Sequence, residues 1–337
     1  MTESADVLVL GLGPAGASAA AAAARLGCRV IAIDRKREAG LPVQCAELVP
    51  GIVEAPPGAV QQRVDSMLTF VEDDPPELKA DFPGRMLDRA AFDAALVGAA
   101  ERAGAHCRLA VRAKTISKSG VVETSDGRTL RARTIVGADG PRSLAGRAIG
   151  SVNCALVETR QITVPLLAPH AATDIFLSAA IPGGYGWLFP KGERANLGAG
   201  VSPQYKSRLK SIISRLHRSL LDRVGGEILG LTGGAIPVGG MLKPWGKLGE
   251  TLVLLAGDAA GLANPVTGAG IAAALHSGRL AGEAAASGAL EDYGEELEDV
   301  FGAALERALR RRKELLESSM QKAALRRGWI AYPEYWQ

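Results

Sequence analysis

A glycine turn between two short apolar runs constrains this chain more than any other feature. Residues 7–10 read as a buried strand, and the turn Gly11-Leu12-Gly13-Pro14-Ala15-Gly16 follows at once. An alanine-rich run to about Leu26 reads as a helix, and residues 30–33 as a second strand ending at Asp34. Strand, glycine turn, helix, strand and an acid roughly 20 residues on make the dinucleotide-binding fingerprint. Gly11 permits the tight turn, Gly13 lets backbone approach a pyrophosphate, and Gly16 with Ala20 lets the helix lie close on the sheet. Asp34 is spaced to receive ribose hydroxyls, and its charge repels a 2′-phosphate. A turn that merely packs has no need of that acid. The unit predicts an α/β fold with a bound adenine dinucleotide, and Arg35 beside Asp34 falls in the same cofactor set.

A late segment, residues 257–271 (GDAAGLANPVTGAGI), is the second half of the argument. It follows an apolar strand at residues 252–256 and leads into a helix-like run from Ile271. Asp258 stands at the strand exit beside Gly257, where a carboxylate can accept hydrogen bonds from sugar-type hydroxyls. The N–H groups at the helix start lack intrahelical partners and face a negative or electron-rich group. Paired with the first turn, this loop reads as part of one extended cofactor site.

Composition sets the bounds. At 337 residues the chain suits two intimately joined domains. Apolar residues make up 47% and charged residues 22%, which is ordinary for a globular protein. Low aromatic content (4%) and 41 glycines suit close helix–sheet packing. A net charge of +3, with no recognisable motif, gives no reason to expect nucleic acid. Cys28, Cys45, Cys107 and Cys154 form no CxxC pair and no metal spacing, so they read as reduced cytosolic thiols and no metal is expected. His106, His170, His217 and His276 stand apart from any ligand pattern. The N-terminus enters a core strand at once, leaving no room for a signal peptide. No run of about 18 uncharged apolar residues predicts a membrane-spanning helix. A cytoplasmic or peripheral protein is expected.

Along the chain, residues 51–85 are proline-rich and read as irregular, apart from a strand at residues 66–71. Residues 86–103 read as a helix that Asp88 caps. Short strands are expected at 107–111, 121–124 and 133–138, the last ending at Asp139-Gly140. Alternating stretches at 161–167, 173–179, 187–190 and 195–201 suggest an antiparallel sheet, followed by a helix at about 205–224. The division expected is a discontinuous cofactor domain (1–65, 80–150, 250–285), a substrate domain (66–79, 151–249) and a C-terminal helical segment (286–337). That last segment has a charge split: residues 291–306 carry seven acids and no base, whereas residues 307–337 carry eight Lys/Arg and three acids. It reads either as a solvated helix docked on the body or as a basic, aromatic edge resting on a membrane surface.

The early glycine turn, Asp139-Gly140 and Gly257-Asp258 together resemble the FAD-dependent monooxygenase-like superfamily. There a late aspartate contacts the flavin ribityl chain, the role the resemblance implies for Asp258. A DRxxFD-type helix matches Asp88-Arg89-Ala90-Ala91-Phe92-Asp93, and its arginine helps hold FAD, which assigns Arg89. Residues 182–191 (PGGYGWLFPK) resemble the YxWxFPK element of geranylgeranyl reductases, and the 257–271 loop is similar to that family's version. Cys45-Ala46-Glu47 sits where a cysteine-containing, flavin-facing loop is expected. The resemblance implies a Rossmann-like FAD-binding domain with an inserted antiparallel-sheet substrate domain. Its N–H groups near Gly268, Ala269, Gly270 and Ile271 would face the flavin's pyrimidine edge.

Such enzymes saturate carbon–carbon double bonds in prenyl chains, with hydride from reduced FAD and a proton from an acid. An unactivated alkene demands tight positioning and exclusion of water. Tyr185 and Cys45 are the candidate proton donors, alone or through a held water, and Trp187 and Phe189 the candidate pocket walls. Equally open are a Tyr185 that only walls the pocket and a Cys45 that is only a small buried residue. Alternatives are a flavin monooxygenase of a small aromatic or apolar substrate and a flavin electron-transfer protein. A halogenase would require Trp at position 185. The expected electron donor is NAD(P)H or a ferredoxin-type protein, and the substrate a prenylated lipid or other apolar small molecule.

Overall fold

A computed structural model describes residues 2–318 and 321–337. Its first sheet runs in the order Trp245–Leu248, Thr251–Leu255, Thr129–Gly137, Thr2–Leu10, Val30–Ile33, His106–Arg108. Every neighbour pair from Thr251–Leu255 to His106–Arg108 is parallel, and Trp245–Leu248 adds an antiparallel edge. Leu8 lies opposite Ile135 on one side and Ile31 on the other. Val7, Leu8, Val9 and Leu10 are all buried, as a parallel strand covered on both faces requires. Two helices, Pro14–Arg25 and Ile271–Ser287, pack together against this sheet. A methyl group on Gly278 or Gly282 would run into the carbonyl oxygens of Ala15 and Ala19. Low aromatic content is the compositional trace of that close approach.

The second sheet runs Gly230–Thr232, Leu156–Pro165, Arg194–Val201, Gly186–Lys191, Ala172–Leu177, Ser66–Val71, Glu77–Lys79, with Ala235–Pro237 also on Leu156–Pro165. It is antiparallel except at one junction, where Ala172–Leu177 runs parallel to Ser66–Val71. The parallel junction arises because Ser66–Val71 enters from an earlier part of the chain. The helix expected at 205–224 is shorter. A 3₁₀ turn at Pro203–Arg208 precedes the α-helix Leu209–Ser219, which buries Leu209, Ile212 and Ile213. Pro203 opens the 3₁₀ turn, and the α-helix closes at Leu220.

Residues 51–85 are more regular than expected. Leu48–Pro50, Val60–Val64 and Gly84–Leu87 form a small antiparallel sheet. The following helix therefore starts at Arg89, after residues 86 and 87 have served in a strand. Asp88 caps it by accepting from the Ala91 N–H at 3.0 Å. Beyond Ser287 come helices Leu290–Leu297, Ala303–Glu317 and Lys322–Arg327. They bring the C-terminal residues back to the second sheet, where Trp329 packs among Met67, Met86, Trp187 and Phe189. Lys322 and Arg326 pair with Asp74 and Glu77. Trp329 and Tyr335 are buried, whereas Trp336 is 57% exposed. Among the described residues no helix is long and apolar enough to cross a membrane.

Candidate cofactor and active site

The carboxyl ends of three neighbouring parallel strands meet at one edge of the first sheet. The Gly11 turn follows Thr2–Leu10, Asp139 follows Thr129–Gly137, and Asp258 follows Thr251–Leu255. Ligands of open α/β sheets bind at that edge. Gly11 adopts φ +96°, and a side chain on Gly16 would strike the Gly11 carbonyl. Nothing lies within 4 Å of where a Gly13 Cβ would stand, so the backbone is open to a ligand there. Pro14 occupies the helix's first turn, and Ala15 touches the late loop, its Cβ 3.1 Å from the Cβ position of Gly257. Asp34 also has a structural task. Its two oxygens accept from the Leu12 N–H at 2.7 Å and the Lys36 N–H at 2.8 Å, tying the turn to the second strand. Arg35 is exposed and borders a cleft of about 460 Å³ with Lys36, Arg37, Leu41, Pro42 and Gln44.

In the late loop, Asp258 lies in a 3₁₀ turn at Gly257–Ala260. Asn153 holds its backbone carbonyl at 2.9 Å, and Ser277 accepts from the Gly257 N–H at 3.0 Å. Asn264 Oδ1 accepts from the N–H groups of Val266 (2.9 Å) and Thr267 (3.0 Å), shaping the stretch before Gly268 and Ala269. Gly270 precedes the helix that Ile271 opens, and no side chain caps it among the described residues. Burial pushes the Asp258 carboxyl up to about 6 against the pull of Arg89. No donor among the described residues bonds to that carboxylate. An open glycine backbone, an uncapped helix start and an unpartnered carboxylate are the features an extended dinucleotide needs, and they fit FAD.

Asp139, also expected in the cofactor set, has a structural task like Asp34. Its carboxylate accepts from Ser143 Oγ (2.5 Å) and the Leu144 N–H (2.6 Å), fixing the start of the short helix Leu144–Ala148. Burial raises its pKa while these bonds oppose the rise. Arg89 forks onto the buried Asp93 through two 3.0 Å bonds, its own side chain being mostly buried. Burial works against the Arg89 charge, but the neighbouring Cys45 thiol and Asp93 carboxylate hold its pKa above the ordinary value. The fold thus brings Cys45, Arg89 and Asp258 into one electrostatic neighbourhood from three distant stretches of chain.

From the second sheet, Tyr185 donates to the Thr267 carbonyl at 2.6 Å, linking the PGGYGWLFPK element to the late loop. Burial pushes its hydroxyl pKa well above the ordinary tyrosine value. Tyr185 packs on Trp187 at 5.8 Å and on Trp329 at 4.8 Å between ring centroids, and Trp187 stacks on Phe189 at 6.1 Å. Trp187 and Phe189 are 6% and 4% exposed, so they are core members as well as candidate walls. Arg312, from the C-terminal helices, donates to the carbonyls of Gly183 (2.9 Å) and Pro265 (3.3 Å). Sequence reasoning assigned no role to Gln161, Lys191, Asn196 or Glu47. Gln161 and Asn196 donate to the carbonyls of Cys45 and Ala46 at 3.3 Å, and Lys191 pairs with Glu47 at 2.9 Å. The available signal was a lysine ending an otherwise apolar strand.

Solved structures share this architecture. A geranylgeranyl bacteriochlorophyll reductase-like protein from Thermoplasma acidophilum superposes with a TM-score of 0.85 at 25% identity, covering 96% of this chain and 90% of that one. A probable FAD-dependent monooxygenase from Pseudomonas aeruginosa gives 0.71 at 18% identity over 96% and 98% of the two chains, a likeness of fold alone. The fold is thus that of the FAD-dependent hydroxylase-like oxidoreductases. A family model described as the geranylgeranyl reductase catalytic domain matches residues 157–236. The digeranylgeranylglycerophospholipid reductase 1 of Methanopyrus kandleri is 34% identical over 313 residues, 85% of this chain and 82% of that protein. The digeranylgeranylglycerophospholipid reductase of Methanocella arvoryzae is 33% identical over 91% of this chain and 86% of that protein. The chain belongs to the geranylgeranyl reductase family.

Proposed function

We propose that this protein saturates carbon–carbon double bonds in the prenyl chains of a lipid, with FAD as its cofactor. The observation that carries the reading is the junction between the PGGYGWLFPK element and the late loop, made by the bond from Tyr185 to the Thr267 carbonyl. It sets a family-typical substrate element against the loop that would face the flavin. The named substrates of the relatives, digeranylgeranylglycerophospholipids, support the same class.

FAD, when bound and reduced by the external donor, would supply hydride to the alkene. The chain's own residues bind, orient and protonate. Backbone at Gly11, Gly13 and Gly16 receives the pyrophosphate, Asp34 the ribose and Asp258 the ribityl hydroxyls, with Arg89 moderating the charge. The N–H groups of the helix opened by Ile271 would stabilise negative charge that gathers on the flavin on reduction. Of the two proton-donor candidates, Cys45 suits the role better. The Tyr185 hydroxyl is committed to a carbonyl and its pKa is pushed up by burial, which makes it a poor acid and a good latch. NAD(P)H or a ferredoxin-type protein is the electron source in this reading, and the exposed Trp336 edge the part suited to a membrane surface.

The test is anaerobic turnover. The purified holoenzyme, given NADPH or reduced ferredoxin and a digeranylgeranylglycerophospholipid, is expected to add hydrogen in units of two by mass spectrometry of the lipid. Product that forms only in air would sink the reductase reading in favour of a monooxygenase.

A further inference from the structure

The loop carrying Cys45 is gripped from both sides, and the centre of the grip is an ion pair between a half-buried lysine and a buried carboxylate, to which the reaction above gives no part. Glu47 is only 5% exposed. Lys191 Nζ lies 2.9 Å from each of its carboxylate oxygens. The Asn196 amide donates to the same carboxylate at 2.9 Å, and the Arg89 backbone N–H at 3.1 Å. Its backbone is equally occupied: the N–H donates to Cys45 Sγ at 3.2 Å, and the carbonyl accepts from the Leu87 N–H at 2.9 Å. Glu47 also adopts φ +71°, a left-handed conformation that a residue with a Cβ rarely takes. Surrounding structure must over-determine such a conformation for it to persist.

The second sheet supplies that determination. Gln161 and Asn196 hold the carbonyls of Cys45 and Ala46, and Gln161 is itself fixed by the Trp187 indole N–H at 3.0 Å. Three consecutive loop residues are thus addressed by side chains of Leu156–Pro165, Gly186–Lys191 and Arg194–Val201. Stability alone is a weak reason for the pair, since apolar residues of similar volume are often as good in such a place. What a fixed charge pair adds is one geometry. We propose that Lys191 and Glu47 are positioning residues: the pair holds the left-handed turn at Glu47 and thereby sets the Cys45 thiol beside the Arg89 guanidinium. The inference rests on the reading of the Cys45 loop as flavin-facing.

The test uses FAD-loaded enzyme in four forms: wild type, Lys191→Met, Lys191→Arg and the double variant Glu47→Gln/Lys191→Met. Iodoacetamide labelling is followed peptide by peptide, with Cys28 and Cys107, partly buried against the first sheet's core, reporting global loosening. Lys191→Met is expected to speed labelling of Cys45 by about tenfold or more while Cys28 and Cys107 stay within about twofold. Its kcat should fall by about tenfold with KM for the prenyl lipid within about threefold, and Lys191→Arg should recover most of both. Cys45 labelling at the wild-type rate in folded Lys191→Met would overturn the proposal, as would equal acceleration at all three cysteines. If Lys191→Met does not fold, the double variant, free of both charges, is read by the same criteria. Fast Cys45 labelling with undiminished turnover would uphold the clamp and reject the flavin-facing role of the loop, so the two ideas fail separately.

Discussion

Asp258 shows what a buried carboxylate without a bonding partner among the described residues costs a fold. Burial raises it from 3.8 to about 6, so between those values the folded chain holds a proton that the unfolded chain has released. Stability therefore falls as pH rises through that window, and the loss stands in full above it. Asp258→Asn is expected to stabilise the FAD-free protein by about 1–2 kcal/mol at pH 7.5 and by nothing near pH 3.5. The same change should weaken FAD retention, because the amide is a poorer acceptor for sugar hydroxyls. Urea unfolding at the two pH values checks the first claim, and an equal gain at both would refute it. Tyr185 poses the opposite case, a reactive-looking group held in a structural bond. Tyr185→Phe is expected to cost about 1 kcal/mol of stability and to leave kcat within about threefold. A fall of two orders of magnitude in single-turnover rate would return Tyr185 to the chemistry.

Local signals carried the elements that local sequence can specify. The first βαβ unit was legible because glycine spacing, helix and second strand all lie within residues 7–34, and Asp88 because a cap acts on the next turn of its own helix. That cap is open to a direct check: Asp88→Ala should cost about 1 kcal/mol in thermal unfolding. No change in Tm would mean that packing of Phe92 and Val97 alone holds the helix start. Elements defined by distant partners were not legible. Val60–Val64 and Gly84–Leu87 are five and four residues long, proline-flanked, and strands only because each finds the other. The site divides the same way. Position along the chain pointed to Asp34 and Asp258 and the family resemblance to Arg89, but the bonds of Asp139 depend on Ser143 and a short helix. Glu47 and Lys191 meet across 144 residues, beyond the reach of any local pattern.

At the scale of the molecule, the end of the chain completes the region that the middle begins. Residues 329–337 look like one aromatic edge in the sequence, yet the fold gives its two tryptophans different work. Trp329 is 3% exposed, its indole N–H 3.4 Å from Met67 Sδ and its ring on Tyr185. Trp336 is 57% exposed and meets Arg307 across its face. Trp329 therefore backs the aromatic cluster of the PGGYGWLFPK element, while Arg312 ties the same helical segment to Gly183 and Pro265. Trp329→Ala opens a cavity behind Tyr185 and should cost about 3 kcal/mol or more, with a lowered kcat for the prenyl substrate as the aromatic cluster of Trp187 and Phe189 loses its backing. Trp336→Ala should change stability by less than about 0.5 kcal/mol and leave turnover of detergent-dispersed substrate intact. Denaturant unfolding and steady-state kinetics on the two variants decide it. Equal effects would mean that residues 329–337 act as one surface rather than as a buried backing and an exposed edge.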